Sequence, residues 1–379
     1  MIFSTAYFPF VGGAEVAVKE ITDRIPDFEF VMITAKLARS LPKYERLGNV
    51  EVYRIGLGIP IIDKLFLAFF GANFASRLAK KNKFDATWAI MASFGGLAAL
   101  GFKKQHKDIP FLLTLQEGDD LKEIERKAFW LGEKFKKIFT QADYIQAISS
   151  YLALWAKRMG ALVPIKVVPN GVDLERFKLE IRPEIEALKK ELGIKKPEKI
   201  ILSVSRLVKK NGLEDLIQAI AKISDGGQSV KLLICGQGEE ESVLKKLVAD
   251  LKIENKVLFL GHVAPDDLPK YYNLADVFCR PSLSEGLGNV FLEAMACQAP
   301  VVATPVGGIP DFLEEGKTGW FAQVKNPNSI ADKIEYVLKA ENKKEVEKVI
   351  AAAKKMVEVK FNWKDIAKNI EKILTDLTS

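Results

Sequence analysis

The stretch Ser284-Glu285-Gly286-Leu287-Gly288-Asn289-Val290-Phe291-Leu292-Glu293-Ala294-Met295-Ala296 reads as a turn that opens into a helix. Gly286 and Gly288 permit backbone shapes and close approaches that side chains block. From Val290 to Cys297 every residue is apolar except Glu293, and a helix that is apolar nearly all round is a buried one. A carboxylate on such a helix is costly unless something binds it. Glu285 stands eight residues earlier, on the turn. Between the two acids, the helix start offers unpaired N–H groups and a positive dipole end, which suit an anion. Carboxylates accept hydrogen bonds from sugar hydroxyls, and helix starts hold phosphates. The local pattern therefore describes a pocket for a nucleotide sugar. The competing reading leaves Glu293 reaching an Arg or the solvent.

Around this stretch, apolar runs alternate with helical ones. Strands are expected at Ile200–Val204, Val230–Cys235, Val257–Leu260, Val277–Arg280 and Pro300–Ala303. Helices are expected at about 213–224, 239–252, 266–274, 288–298 and 309–315, with further helices at about 327–340 and 343–358. That alternation predicts βαβ units and a parallel, doubly wound sheet. Ser203 to Gly212 ends the first of these strands with Arg206, Lys209 and Lys210, which can hold a diphosphate; an ordinary solvated basic loop is the alternative. Cys235-Gly236-Gln237-Gly238-Glu239 and Gly261-His262-Val263 are turns against which a flat base could lie. Val306-Gly307-Gly308 reads as a structural turn.

The first half repeats the alternation. Strands are expected at the chain start, Phe28–Thr34, Val50–Ile55, Thr87–Met91, Phe111–Leu115, Tyr144–Ala147 and Ile165–Val168. Loops 7–13, 92–96 and 116–120 fall at carboxyl ends of these strands, where ligands of such sheets bind. Residues 60–83 combine Leu65, Phe66, Phe69, Phe70 and Phe74 with Lys64, Arg77, Lys80, Lys81 and Lys83. They form either a helix lying on an anionic membrane surface or one packed on the sheet with a solvated basic end. Lys178–Glu198 is a charged candidate linker, with a helix expected within it at Pro183–Leu192.

At 379 residues the chain exceeds one typical core, so two domains are expected. Its net charge of +7 is uneven: residues 1–177 hold 25 Lys and Arg against 19 Asp and Glu. A basic first half suits an anionic partner or merely keeps the chain soluble. Cys235, Cys279 and Cys297 lie in apolar runs and read as core residues. With two histidines in all, no Cys/His metal site can be built. No secretory signal or membrane-spanning segment is visible, so a cytoplasmic location, peripheral on the inner face of the membrane, is expected. The absence of GxGxxG argues against a dinucleotide oxidoreductase. The basic residues form no aromatic-interleaved stripe, which argues against nucleic-acid binding.

Together these motifs resemble the family 4 retaining glycosyltransferases of the GT-B fold. The matching pieces are Phe8-Pro9 to Glu15, Pro169-Asn170-Gly171-Val172-Asp173, Ser205-Arg206-Leu207-Val208, Cys235 to Glu239, and Glu285 to Glu293 followed by Pro300 to Thr304. The resemblance covers essentially the whole chain. It implies two Rossmann-like doubly wound α/β domains facing a cleft. Residues 1–177 would form the acceptor-binding domain and 178–360 the donor-binding domain, with the last helix, 361–379, crossing back to the first.

By position, the resemblance places Glu285 on the donor sugar and Glu293 on the nucleotide ribose. It places Gly286, Gly288, Asn289 and Val290 at the distal phosphate, Arg206 and Lys210 on the diphosphate, and Gly238 and Val263 beside the donor. Gly12 and Gly13 would serve the acceptor and phosphate loop, with Glu117 or Asp119 aligning the acceptor hydroxyl. Two departures stand out: Asn211 replaces the usual phosphate-binding Lys, and Gln116 replaces a His that carries acid–base roles. The implied activity is that of a retaining hexosyltransferase acting on a glycan, polysaccharide or lipid-linked acceptor, without metal or other cofactor. A sugar-nucleotide epimerase or phosphorylase on this fold, or a non-catalytic sugar-nucleotide-binding protein, are the rivals.

Overall fold

Short apolar strands buried on both faces must be covered by helices on both sides, and the chain builds this arrangement twice. The computed structural model describes residues 1–180 and 182–379; Ile181, inside the expected linker, lies outside the described residues. The chain divides into two units, Met1–Gly171 with Trp363–Ser379, and Val172–Asn362.

In unit 1 the strands are β1 (Ile2–Phe3), β2 (Phe30–Ala35), β3 (Tyr44–Leu47), β4 (Val50–Ile55), β5 (Thr87–Ile90), β6 (Phe111–Leu115), β7 (Tyr144–Ala147) and β8 (Ile165–Val167). They lie in the order β3-β4-β2-β1-β5-β6-β7-β8. All neighbours are parallel except β3, which runs antiparallel to β4. β3 is not among the expected strands; its residues alternate between exposed and half-buried, as an edge strand's do. Its turn is Gly48-Asn49, where Gly48 has φ +57° and Asn49 Nδ2 donates to the carbonyls of Thr22, Ile25 and Phe28. The terminal helix Trp363–Thr378 belongs to unit 1. It buries Ile366, Ile370 and Ile373 in one core with Val18 and Ile21 of the helix Gly13–Thr22.

In unit 2 the strands are β9 (Lys199–Val204), β10 (Val230–Cys235), β11 (Val257–Gly261), β12 (Val277–Arg280), β13 (Val301–Ala303) and β14 (Trp320–Phe321). All are parallel, in the order β11-β10-β9-β12-β13-β14. The boundary falls at 171/172 rather than 177/178, because Phe177 is buried with its ring 5.9 Å from that of Tyr272. Within 178–198 the expected helix is present, but the segment is not a free linker. The helix Arg182–Glu191 within it packs on the helix Leu268–Leu274 and buries Leu188. The helix expected over 309–315 is a single 3₁₀ turn, Ile309–Asp311. Thr318 ends it by donating its hydroxyl to the Phe312 carbonyl and accepting from the Glu314 N–H. The stretch from Gly288 onward forms a helix, Asn289–Ala296, with Phe291, Leu292, Ala294 and Met295 buried.

Candidate functional site

In unit 2 the chain lays β10 and β11 on one side of β9, then returns to place β12 on the other. Loops leaving the carboxyl ends of two such neighbouring strands part and leave a crevice. Here those loops are 205–212 after β9 and 281–288 after β12. Backbone contacts bind them together. The Leu283 N–H donates to the Lys210 carbonyl at 2.7 Å. Gly212, at φ +67°, passes so close to Pro281 that a Cβ would lie 2.0 Å from its carbonyl oxygen. On the other flank, Gly307, at φ +57°, would bring a Cβ within 1.7 Å of the Glu285 carbonyl. The turn at Val306-Gly307-Gly308 is thus structural, and what it supports is the Glu285 loop. The loop after β10 joins through the Leu207 N–H, which donates to the Gln237 carbonyl at 3.0 Å.

Arg206 and Lys209 are exposed and Lys210 is half-buried on the β9 loop. Asn211, which stands where the family usually has a phosphate-binding Lys, is buried, and its Nδ2 donates to the Arg206 carbonyl at 2.6 Å. Its side chain closes the loop beneath Arg206. Gly238 and Val263 are half-buried on the β10 and β11 loops, and His262 is exposed.

The two acids have separate partners. Glu285 pairs through Oε2 with Nη2 of Arg280, the last residue of β12. Arg280 is buried; its Nε donates to the Ser282 hydroxyl at 3.1 Å, and its guanidinium lies 4.6 Å from the centre of the Phe291 ring. A planar cation can use its edge for a carboxylate and its face for an aromatic ring, and Arg280 does both. Glu293 is half-buried and accepts a 2.8 Å hydrogen bond from the hydroxyl of fully buried Tyr272. Burial pushes the Glu293 carboxyl up to about 7, against the opposing pull of the Tyr272 hydrogen bond and the charges of Arg280 and Arg176. Gly288 enters the helix at φ +96°, and no side chain caps that helix start.

Arg280, Ser282 and Tyr272 are not among the site residues expected from the sequence. One signal was available: a charged residue closing the apolar run Val277-Phe278-Cys279 is costly unless an opposite charge meets it, and Glu285 stands five residues on.

In unit 1 the loops after β1, β5 and β6 are similarly stitched. The hydroxyls of Thr5 and Ser93 lie 2.9 Å apart, and the Ala92 N–H donates to Glu117 Oε1 at 2.6 Å. Glu117 is buried, its second carboxylate oxygen has no hydrogen-bond partner, and burial pushes its carboxyl up to about 7. Gln116, in place of the family's His, accepts a 3.1 Å bond from Asn170 Nδ2, linking it to the Asn-Gly-Val-Asp turn. Asp119 is exposed, as are Gly12 and Gly13 at the start of the helix Gly13–Thr22. Among the described residues, no three His, Cys, Asp or Glu side chains are grouped to hold a metal ion. No helix among them is long and apolar enough to cross a membrane.

Comparison with known proteins gives a consistent result. Residues 11–176 match the family model for glycosyltransferase family 4, and residues 184–356 that for the group 1 glycosyl transferases. An uncharacterized glycosyltransferase of Methanocaldococcus jannaschii is 37% identical across 97% of this chain and 96% of its own length. The N-acetyl-alpha-D-glucosaminyl L-malate synthase of Bacillus anthracis is 34% identical across 53% of this chain and 51% of its own. Among solved structures, the sucrose-phosphate synthase of Thermosynechococcus elongatus superposes with a TM-score of 0.84 at 20% identity, covering 98% of this chain and 95% of that one. HepE of Anabaena, solved with UDP-glucose, gives 0.81 at 20% identity over 99% and 98% of the two chains. Likeness at such identity speaks for the fold.

Proposed function

The chain belongs to the family 4 glycosyltransferases, enzymes that use nucleotide sugars, and on that premise we propose that it transfers the sugar to an acceptor hydroxyl with retention of the anomeric configuration. The observation that carries this reading is the pair of differently held acids that follow β12, Glu285 tied to Arg280 and Glu293 tied to Tyr272. Glu285 takes hydroxyls of the donor sugar. Glu293 takes ribose hydroxyls. The amides of Gly288, Asn289 and Val290, flanked by Gly286, meet the distal phosphate, while Gly238 and Val263 flank the base. In the transition state the bond from the anomeric carbon to the phosphate oxygen breaks and negative charge builds on that phosphate. Arg206, Lys210 and the helix start are the groups that stabilise it. The acceptor oxygen bonds to the anomeric carbon, and its proton passes to the departing phosphate oxygen. No protein nucleophile or metal ion enters this scheme.

On the acceptor side, Gly12, Gly13 and Asp119 present an exposed rim, and Glu117 acts from beneath by holding the Ala92 amide. The basic, aromatic helix within 60–83 touches an anionic membrane surface, which places the enzyme peripherally on the cytoplasmic side and favours a lipid-linked acceptor over a free glycan. The test is a thermal-shift panel with UDP-, GDP-, ADP- and TDP-sugars, followed by transfer assays with the donor that stabilises and NMR of the product anomer. Stabilisation by one donor and an anomer unchanged from donor to product are expected. An inverted product would overturn retention, and an altered free sugar without acceptor would mean an epimerase.

The raised carboxyls of Glu117 and Glu293 make a second prediction. Both hold a proton up to about 7, whereas an ordinary glutamate loses it near 4.5. Between those values the folded chain binds more protons than the unfolded one, so stability falls as pH rises through that window and levels off above it. The ligand-free melting temperature should drop by on the order of 5 °C from pH 5 to pH 7.5, and Glu293→Gln should flatten part of the slope. Ribose hydroxyls donate more strongly to the ionised form of Glu293, so nucleoside-diphosphate affinity should rise over the same range. A pH-independent affinity by calorimetry would remove Glu293 from the ribose.

A further inference from the structure

Unit 1 carries an apolar groove that the transfer scheme does not use. We propose that this groove takes one hydrocarbon chain of an anionic membrane lipid. It has a volume of about 330 Å³ and lies between the helices Pro60–Ala79 and Phe94–Gln105 and the segment around Trp130. Phe94, Leu97, Gly101 and Lys104 line it at spacings of three and four, one face of the second helix. The face beside it is closed: Gly71 and Gly101 let the two helices approach so nearly that a Cβ on either would meet an alanine Cβ at 2.9 Å. Leu65 and Phe69 come from the first helix, and Trp130 and Leu131 from the far wall.

The lining chooses the occupant. It contains no hydroxyl, amide or carboxylate side chain, so a glycan would find almost nothing to hydrogen-bond there. Its only charges are Lys104 and Lys134, which suit a phosphate at the rim. The helix Phe94–Gln105 has no acidic residue, and the one acid of Pro60–Ala79, Asp63, is buried, accepting from the N–H groups of Leu57, Gly58 and Ile59. Around the groove, Phe129 is 85% exposed, Trp130 64% and Phe69 60%. Aromatic rings of that exposure in one patch mark a contact surface, and rings beside lysines suit the membrane interface. The contact surface is thus larger than residues 60–83. The groove starts at Phe94, next to Ser93 and its Thr5 partner at the strand ends, so the lipid lies on the acceptor side of unit 1. That the lipid is itself the acceptor rests on the glycosyltransferase reading; that it binds does not.

Trp130 makes the test direct, because the other four tryptophans, Trp88, Trp155, Trp320 and Trp363, are buried. Adding vesicles of equal phosphatidylcholine and phosphatidylglycerol should shift tryptophan emission to shorter wavelength and sediment the protein, and phosphatidylcholine alone should do neither. Lys104→Gln with Lys134→Gln should weaken vesicle binding on the order of tenfold. Phe129→Ser with Trp130→Ser should weaken it comparably, as should Ala68→Phe, which fills the groove from a lining position on the first helix. All three variants should retain the donor-induced thermal shift. Failure of the wild-type protein to bind anionic vesicles, or full binding by the Ala68→Phe variant, would overturn the proposal. So would a dimer in ultracentrifugation that Phe129→Ser with Trp130→Ser dissociates while vesicle binding stays unchanged. If vesicles bind but no nucleotide sugar does, the enzymatic reading falls and the lipid groove stands.

Discussion

Glu285→Gln is expected to lower sugar transfer at least about a hundredfold in kcat, the usual effect of removing one group aimed at a transition state. Gln keeps the shape and one acceptor oxygen, so Arg280 retains a hydrogen-bond partner and the loop keeps its course between Gly307 and the helix start. What disappears is the charge beside the donor sugar as positive character develops at the anomeric carbon. Nucleoside-diphosphate binding, which involves the neighbouring amides and Arg206, should change little. The measurement is steady-state transfer together with calorimetry of the diphosphate. Turnover within a few-fold of wild type would sink the assignment of Glu285 to the sugar.

Arg280→Leu is expected to be the most destabilising single change at the site, by about 3–5 kcal/mol, because it leaves the Glu285 carboxylate without its buried partner. The ring contact with Phe291 and the bond to Ser282 are lost as well. Transfer should also fall, since Glu285 is no longer held. The double variant Arg280→Leu/Glu285→Gln separates the effects. It removes both charges, so urea unfolding should recover most of the lost stability, while transfer stays as low as in Glu285→Gln. If Arg280→Leu unfolds at the wild-type urea concentration, the pair is not what holds the loop.

Much of this site is legible in the chain order of its residues. Period and apolar content place β10, β12 and the helix after Gly288 within a residue or two, since parallel strands buried on both faces write themselves as continuous apolar runs. The edge strand β3 was not legible, because Tyr44-Glu45-Arg46-Leu47 has neither the run nor a buried face. The turn 309–311 is shorter than the helix expected over 309–315 because the stop comes from Thr318, seven residues on. Asn211 and Gln116 look like lost catalytic groups in the sequence. In the fold, each is a buried amide bonded to its own unit, to the Arg206 carbonyl and to Asn170.

Residue order alone encodes two mainly parallel α/β sheets, a helix start flanked by Glu285 and Glu293, and a cationic loop after the first strand of the second sheet. These are local facts, encoded in periodicity and in glycine positions. What each acid is bonded to depends on the folded arrangement. Arg280 lies five residues from Glu285 and Tyr272 twenty-one from Glu293, and burial and hydrogen bonding between such residues depend on how strand order folds the chain. The anomaly of a charge in an apolar run is visible in one dimension. Its resolution, one acid paired with a buried guanidinium and the other kept protonated to about 7 beside a buried phenol, exists only in three.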